Sequence, residues 1–206
     1  MPIIQPTVEP IFPIPTLHSA LGREFTDEEI DFFNEMGKKT IKNEGNATSH
    51  NNYVLDEPEL LNLRTDLMEV VNYWFTNLIK NKNAQPYITQ SWLNWTMKDQ
   101  FHHKHTHSNS YISGVLYIHG EDDRICFEKT AYEQIKIQPD NPEDSNMFNA
   151  EMSWFKVNPG KIILFPSSVI HYVDKKEHET PRVSLAFNIF VKGNIGKNVS
   201  LTELNL

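Results

Sequence analysis

Four of the nine histidines fall in one run of eight residues, Gln100-Phe101-His102-His103-Lys104-His105-Thr106-His107. A neutral imidazole offers a lone pair to iron, zinc or copper, which makes such a run a candidate metal site. On an extended strand, side chains alternate between faces. The pattern therefore predicts His103, His105 and His107 on one face and His102 on the other. An H-x-H pair on one face can bring two nitrogens to one ion. Taken alone, the same run also fits a histidine-rich surface or a hydrogen-bonded polar strand.

A second chemical segment lies further along, Asn158-Pro159-Gly160-Lys161-Ile162-Ile163-Leu164-Phe165-Pro166-Ser167-Ser168-Val169-Ile170-His171. A glycine turn leads into an apolar strand, then a Pro-Ser turn, then one histidine. Eleven residues later comes Arg182-Val183-Ser184, opening another apolar stretch. A guanidinium on such a strand requires an anion, because burying it unpaired is costly. Its planar fork matches a carboxylate through two parallel hydrogen bonds. Ser184 shares the strand face and can donate a third. A salt bridge to an acid of the protein would satisfy Arg182 as well, and His171 alone could be a core or surface histidine.

These residues need a scaffold. The first 25 residues are rich in proline and apolar side chains and suit an extended arm or edge strand. Thr26 followed three residues later by Glu29 is a capping-box pattern. Ile30, Phe33, Met36 or Gly37, and Ile41 then recur at helical spacing. Residues 43–52 are polar and read as a loop. Pro58 suits the first turn of a second helix, with Leu60, Leu63, Leu67, Val70 or Val71, Trp74 and Leu78 as its apolar stripe. Beyond Pro86 the composition turns aromatic and β-branched. Strands are predicted over 87–95, 111–118, 125–127, 152–157, 161–165, 170–173 and 182–191. A long polar stretch, 136–149, is a candidate lid or substrate loop. Trp92, Trp95 and Trp154 are candidates for a pocket wall, although aromatic strand residues usually pack in a core. Two helices followed by many strands predict an α+β, mainly β fold, a double-stranded β-helix or jelly roll with two supporting helices near the N-terminus. The expected organisation is one domain over 1–206, comprising an arm and helices (1–86), a catalytic β core (87–192) and a tail (193–206).

The formal net charge of -8 argues against a general nucleic-acid binder, whose affinity rests on Lys and Arg. The single cysteine, Cys126, precludes an internal disulfide. No stretch approaches the ~20 apolar residues of a membrane span. The opening residues show no basic region ahead of an apolar run, so no signal peptide is expected. A reducing, cytoplasmic setting is the expectation.

Together the motifs resemble the Fe(II)/2-oxoglutarate-dependent dioxygenase superfamily. More narrowly, they look like a 2OG-Fe(II) oxygenase family of marine bacteria and phages; for a phage-encoded chain the cytoplasm would be that of the host cell. The segments carrying the resemblance are Ser91-Trp92-Leu93-Asn94, His105-Thr106-His107-Ser108-Asn109-Ser110, Ser113-Gly114-Val115-Leu116-Tyr117, Phe165-Pro166-Ser167, His171 and Arg182-Val183-Ser184. The resemblance implies that His105, His107 and His171 hold Fe(II). It implies that Arg182 and Ser184 hold the far carboxylate of the co-substrate 2-oxoglutarate, with Tyr117 and more weakly Asn94 in the same pocket. His102 and His103 would stand at the rim. With O2, such an enzyme hydroxylates a protein side chain or small molecule and releases succinate and CO2. The primary substrate and any homo-oligomer stay open.

The departure from the family pattern is His107, which stands where a carboxylate usually completes the triad. Glu121, Asp122, Asp123 or Glu128 could supply an acid instead, but each reads first as a solvated turn charge. Three histidines and a water also suit zinc. The competing expectation is therefore a non-catalytic metal- or ligand-binding jelly-roll module within a larger assembly. A zinc hydrolase is a third, without an H-E-x-x-H helix to support it.

Overall fold

The computed structural model describes residues 5–129 and 139–206. Thirteen strands and two α-helices are present among them. The strands are β1 Leu17–Ala20, β2 Thr40–Lys42, β3 Ala47–Ser49, β4 Gln85–Thr96, β5 His102–His105, β6 Ile112–His119, β7 Asp123–Glu128, β8 Met152–Val157, β9 Lys161–Pro166, β10 Ile170–Val173, β11 Arg182–Lys192, β12 Asn194–Ile195 and β13 Leu204–Asn205. The helices are α1 Asp27–Gly37 and α2 Leu61–Trp74.

A seven-stranded sheet runs β1-β9-β6-β11-β4-β3-β2, and a four-stranded sheet runs β5-β10-β7-β8. Every pairing within them is antiparallel. The larger sheet packs one face on the helices: Leu93, Leu116, Leu185, Phe187 and Ile189 meet Leu60, Leu63, Leu67, Val71 and Trp74 in one apolar cluster. Its other face meets the smaller sheet through Val115, Tyr117, Ile163 and Phe165 against Ile125, Phe127 and Val157. Two antiparallel sheets closed over a shared core make the jelly roll the sequence predicts.

Local chemistry explains the elements. Thr26 caps α1, accepting from the Glu29 N–H at 3.2 Å, while the Glu29 carboxylate accepts from the Thr26 N–H at 2.9 Å. Pro58 opens a 3-10 turn, Pro58–Leu60, that feeds α2. Two expectations fail. The helical spacing through Ile41 breaks at Gly37, because Ile41 lies in β2 and is exposed. The polar stretch 43–52 contains β3, which pairs with the long strand β4. Residues 136–138 of the polar stretch 136–149 lie outside the described residues; within the rest, Pro142–Asp144 forms a 3-10 turn.

Candidate metal and co-substrate site

Alternation along β11 sets the floor of the site. Arg182, Ser184, Ala186 and Asn188 line one cavity, and the antiparallel register lays neighbours beside them. Arg182 faces Thr96, Ser184 lies between Asn94 and Tyr117, Ala186 between Trp92 and Val115, and Asn188 beside Ser113. All the predicted site residues, Asn94, His105, His107, Tyr117, His171, Arg182 and Ser184, line this cavity, which encloses about 510 Å³ including its open mouth.

The three histidines converge from separate elements. His105 ends β5 and pairs directly with His171 of β10. His107 follows in a turn, where its backbone N–H donates to Ser167 O at 2.9 Å. Asn109 in that turn has φ 56°, a conformation asparagine tolerates. One ligand atom from each of His105, His107 and His171 lies within 4.8 Å of the others. His107 Nε2 and His171 Nε2 are 3.2 Å apart. The tautomers follow from the outer nitrogens. His105 Nδ1 lies 2.8 Å from His103 O and His171 Nδ1 3.0 Å from Val169 O, so each donates there and leaves Nε2 as a free donor pair. Burial, reinforced by neighbouring imidazoles, lowers the pKa of His171 and brings that of His107 to about 4. His105 is lowered as well, chiefly by burial. Neutral imidazoles facing one another suit a borderline divalent cation such as iron or zinc.

One expected face is reversed. His102 was expected opposite His105, but its ring stacks on that of His105 at 4.7 Å and 22° and lines the same cavity. The reason is an irregularity between β5 and β10: His105 pairs with His171 and His102 with Val173, so three steps on one strand span two on the other. Such a bulge turns both ends of the longer side to the same face.

Arg182 finds an acid within the protein. It is 3% exposed, and its Nη1 donates to Asp123 Oδ1 at 3.4 Å while Nη2 donates to Thr96 Oγ1 at 2.9 Å. Asp123 also accepts from Lys176 Nζ at 3.0 Å, and Lys176 is itself buried. Two cations thus share one carboxylate, and the trio carries one net positive charge beside the cavity. Asn94 Oδ1, in the same row, is buried without a hydrogen-bond partner among the described residues. Burial raises the pKa of the Tyr117 hydroxyl, which keeps it neutral. The surroundings therefore fit a carboxylate-bearing ligand next to the histidines.

Asp123 is the main correction among the acids: it is a buried partner of two cations, not a solvated turn charge. The other three stay at the surface or its edge. Glu121 accepts from Thr180, Asp122 pairs with Lys156 and Glu128 with Lys104. None of the four belongs to a histidine cluster among the described residues. Of the tryptophans, Trp92 lines the cavity with its ring centroid 5.5 Å from that of His107. Trp95 packs in the core on the helix side and Trp154 lies exposed against Arg124. Sequence reasoning missed Lys176, Thr96 and a chain of buried polar groups. In that chain Ser113 Oγ lies 2.9 Å from Asn188 Oδ1 and 2.8 Å from Ser167 Oγ, and Ser167 Oγ lies 2.7 Å from Ser110 Oγ. It anchors the residue whose carbonyl holds the His107 turn. Asn188 on an otherwise apolar strand was the available signal.

Residues 90–188 match a family model described as "Putative 2OG-Fe(II) oxygenase". This segment is just under half of the chain and carries its similarity to that family. Fold likeness extends further. HygX from Streptomyces hygroscopicus, solved with nickel, 2-oxoglutarate and hygromycin B bound, has TM-score 0.59 at 14% identity, covering 85% of this chain and 82% of that one. A 2OG-Fe(II) oxygenase family oxidoreductase from Burkholderia pseudomallei has TM-score 0.54 at 14% identity, over 84% and 83%. The non-heme alpha ketoglutarate dependent carbocyclase SnoK from nogalamycin biosynthesis has TM-score 0.58 at 8% identity, over 88% and 81%. At these identities the likeness is one of fold. Among curated proteins none matches the chain. The family is defined by Fe(II) and 2-oxoglutarate, the pair whose chemistry the imidazoles and Arg182 suit.

Proposed function

We propose that the chain is an Fe(II)- and 2-oxoglutarate-dependent oxygenase that hydroxylates a protein side chain or small molecule in the cytoplasm. His105, His107 and His171 hold the metal, and Arg182, Ser184, Tyr117 and Asn94 hold the co-substrate. The observation that carries the reading is the convergence of three imidazoles on the cavity that also holds a buried, incompletely neutralised guanidinium. When bound, iron and 2-oxoglutarate supply oxygen activation coupled to decarboxylation, yielding succinate and CO2. The protein's part is placement. Arg182, held by Thr96 and Asp123, presents a fixed fork to the distal carboxylate, which orients the co-substrate before reaction. Ser184 and neutral Tyr117 flank that fork and donate hydrogen bonds. The carbonyls of His103 and Val169 keep the Nδ1 protons of His105 and His171 in place. Trp92 packs beside His107, its ring centroid 5.5 Å from the imidazole, and forms part of the cavity wall.

The fold alone does not choose the reaction, since its neighbours include proteins described as an epimerase and a carbocyclase. One observation favours a second reading, a non-catalytic metal-binding module: all three candidate ligands are neutral, where the usual oxygenase site has a carboxylate. Purified protein given Fe(II), 2-oxoglutarate and air separates the two. The oxygenase forms succinate, and His171→Ala abolishes it. Absence of succinate, with tightly held zinc and no affinity for 2-oxoglutarate, would establish the module instead.

A further inference from the structure

The structure assigns a second transition-metal site at the mouth of the cavity, formed by His102, His103 and His105, which competes with the inner histidines for His105. One ligand atom from each of these three residues lies within 4.8 Å of the others, as in the inner set. The rings form a continuous cluster: His102 lies 5.3 Å from His103 and 4.7 Å from His105, and His103 lies 4.8 Å from His105.

His102 is the residue that needs an explanation. The bulge turns its ring inward, where it lines both the inner cavity and the wider mouth. It stacks on His105 and lies tilted at 60° against His103, and neither of its nitrogens has a hydrogen-bond partner among the described residues. His103 makes only a long contact, Nδ1 to Glu44 O at 3.4 Å. Two imidazoles with little else to bind, beside a third, form a donor set for zinc, nickel, cobalt or copper rather than calcium or magnesium. The remaining side chains around the mouth, such as Asn43, Thr48, Asn52 and Gln90, are neutral and leave the imidazoles as its strongest metal donors.

Competition follows from His105. Its Nδ1 is engaged with the His103 carbonyl, so one lone pair, on Nε2, is left for a metal. That pair can serve the inner set or the outer set, not both. An ion seated at the mouth therefore withholds one inner ligand, and an ion moving inward exchanges His102 and His103 for His107 and His171 without releasing His105.

The test uses the full, untagged chain with the inner site disabled, His107→Ala/His171→Ala. Titration with Zn2+ by calorimetry should give one ion per chain. Adding His102→Ala or His103→Ala should weaken that binding at least tenfold. Loss of all zinc binding in the double variant, or a third substitution without effect, would overturn the site. Should the double variant fail to fold, the intact chain still decides: Zn2+ should shield His102 and His103 from acylation by diethyl pyrocarbonate, mapped by mass spectrometry. Unchanged labelling of both would overturn it. The mouth site does not rest on the oxygenase reading, which succinate formation by the intact chain tests separately.

Discussion

Arg182 shares Asp123 with Lys176, and this sharing decides what the guanidinium is free to do. An arginine fully paired to its own carboxylate would be a structural strut. Here the contact is long, 3.4 Å, and the carboxylate serves a second buried cation at 3.0 Å. Arg182→Ala should raise the dissociation constant for 2-oxoglutarate at least tenfold, about 1.4 kcal/mol, while metal affinity changes less than about threefold. Calorimetry with each ligand checks both. Arg182→Lys should restore little, because a point charge does not reproduce the fork. Asp123 and Lys176 act through Arg182. Asp123→Asn leaves Lys176 buried without its counter-charge and should cost about 3–5 kcal/mol of stability, read by denaturant unfolding. His105, His107, His171, Arg182 and Ser184 stood out as candidates because the H-x-H pair, the distal histidine and the R-x-S spacing are chemically unusual in apolar strands; Asn94 and Tyr117 came only from the family resemblance, and all seven line one cavity. Asp123 and Lys176 did not stand out. One sits next to other acids in a turn and the other in a run with Lys175, where sequence alone suggests solvated charge.

At the scale of elements, alternation and capping carried most of the fold. The strands from β6 to β11 fall where β-branched and aromatic runs predict them, and Glu29 closes the capping box of α1. Burial alone would raise the Glu29 pKa, but hydrogen bonds from Arg23 and Thr26 and the charge of Arg23 bring it below its ordinary value. A carboxyl lowered on folding stabilises above its unfolded pKa and loses that stability as pH falls through the folded one. Glu29→Gln should therefore cost about 1–3 kcal/mol near neutrality and flatten the acid limb of a stability-versus-pH curve, with the difference from the parent vanishing at low pH. Gly114 in β6 has a different role: a β-carbon there would meet the Phe187 ring at 2.3 Å and Leu164 at 2.7 Å. Gly114→Ala should destabilise by about 1–3 kcal/mol, seen as a lower thermal midpoint. What periodicity hid were the bulge in β5 and strand β3. A bulge is a property of the pairing between two strands, invisible in either alone. β3 is held by the edge that β4 offers it, and its own residues 47–49 are too few and too polar to announce a strand.

Across the whole molecule, the proposed metal set joins segments far apart in the β region. His105 and His107 come before β6, and His171 follows β9. A ligand that binds the native arrangement and not the unfolded chain stabilises by mass action. Divalent metal at 100 times its dissociation constant should add about 2.7 kcal/mol to the parent, and His171→Ala combined with His102→Ala, which also disables the mouth site, should lose most of that gain. The two sheets and helix layer support β4, β6 and β11, which would place the proposed co-substrate residues beside the proposed metal ligands. Metal and 2-oxoglutarate should then bind as a coupled pair. Calorimetric titration of 2-oxoglutarate under nitrogen, with and without Fe(II), tests this directly. One co-substrate should bind per chain, at least tenfold more tightly with Fe(II), and that gain should be absent in His171→Ala. Equal affinity with and without metal, or no binding in either case, would contradict it.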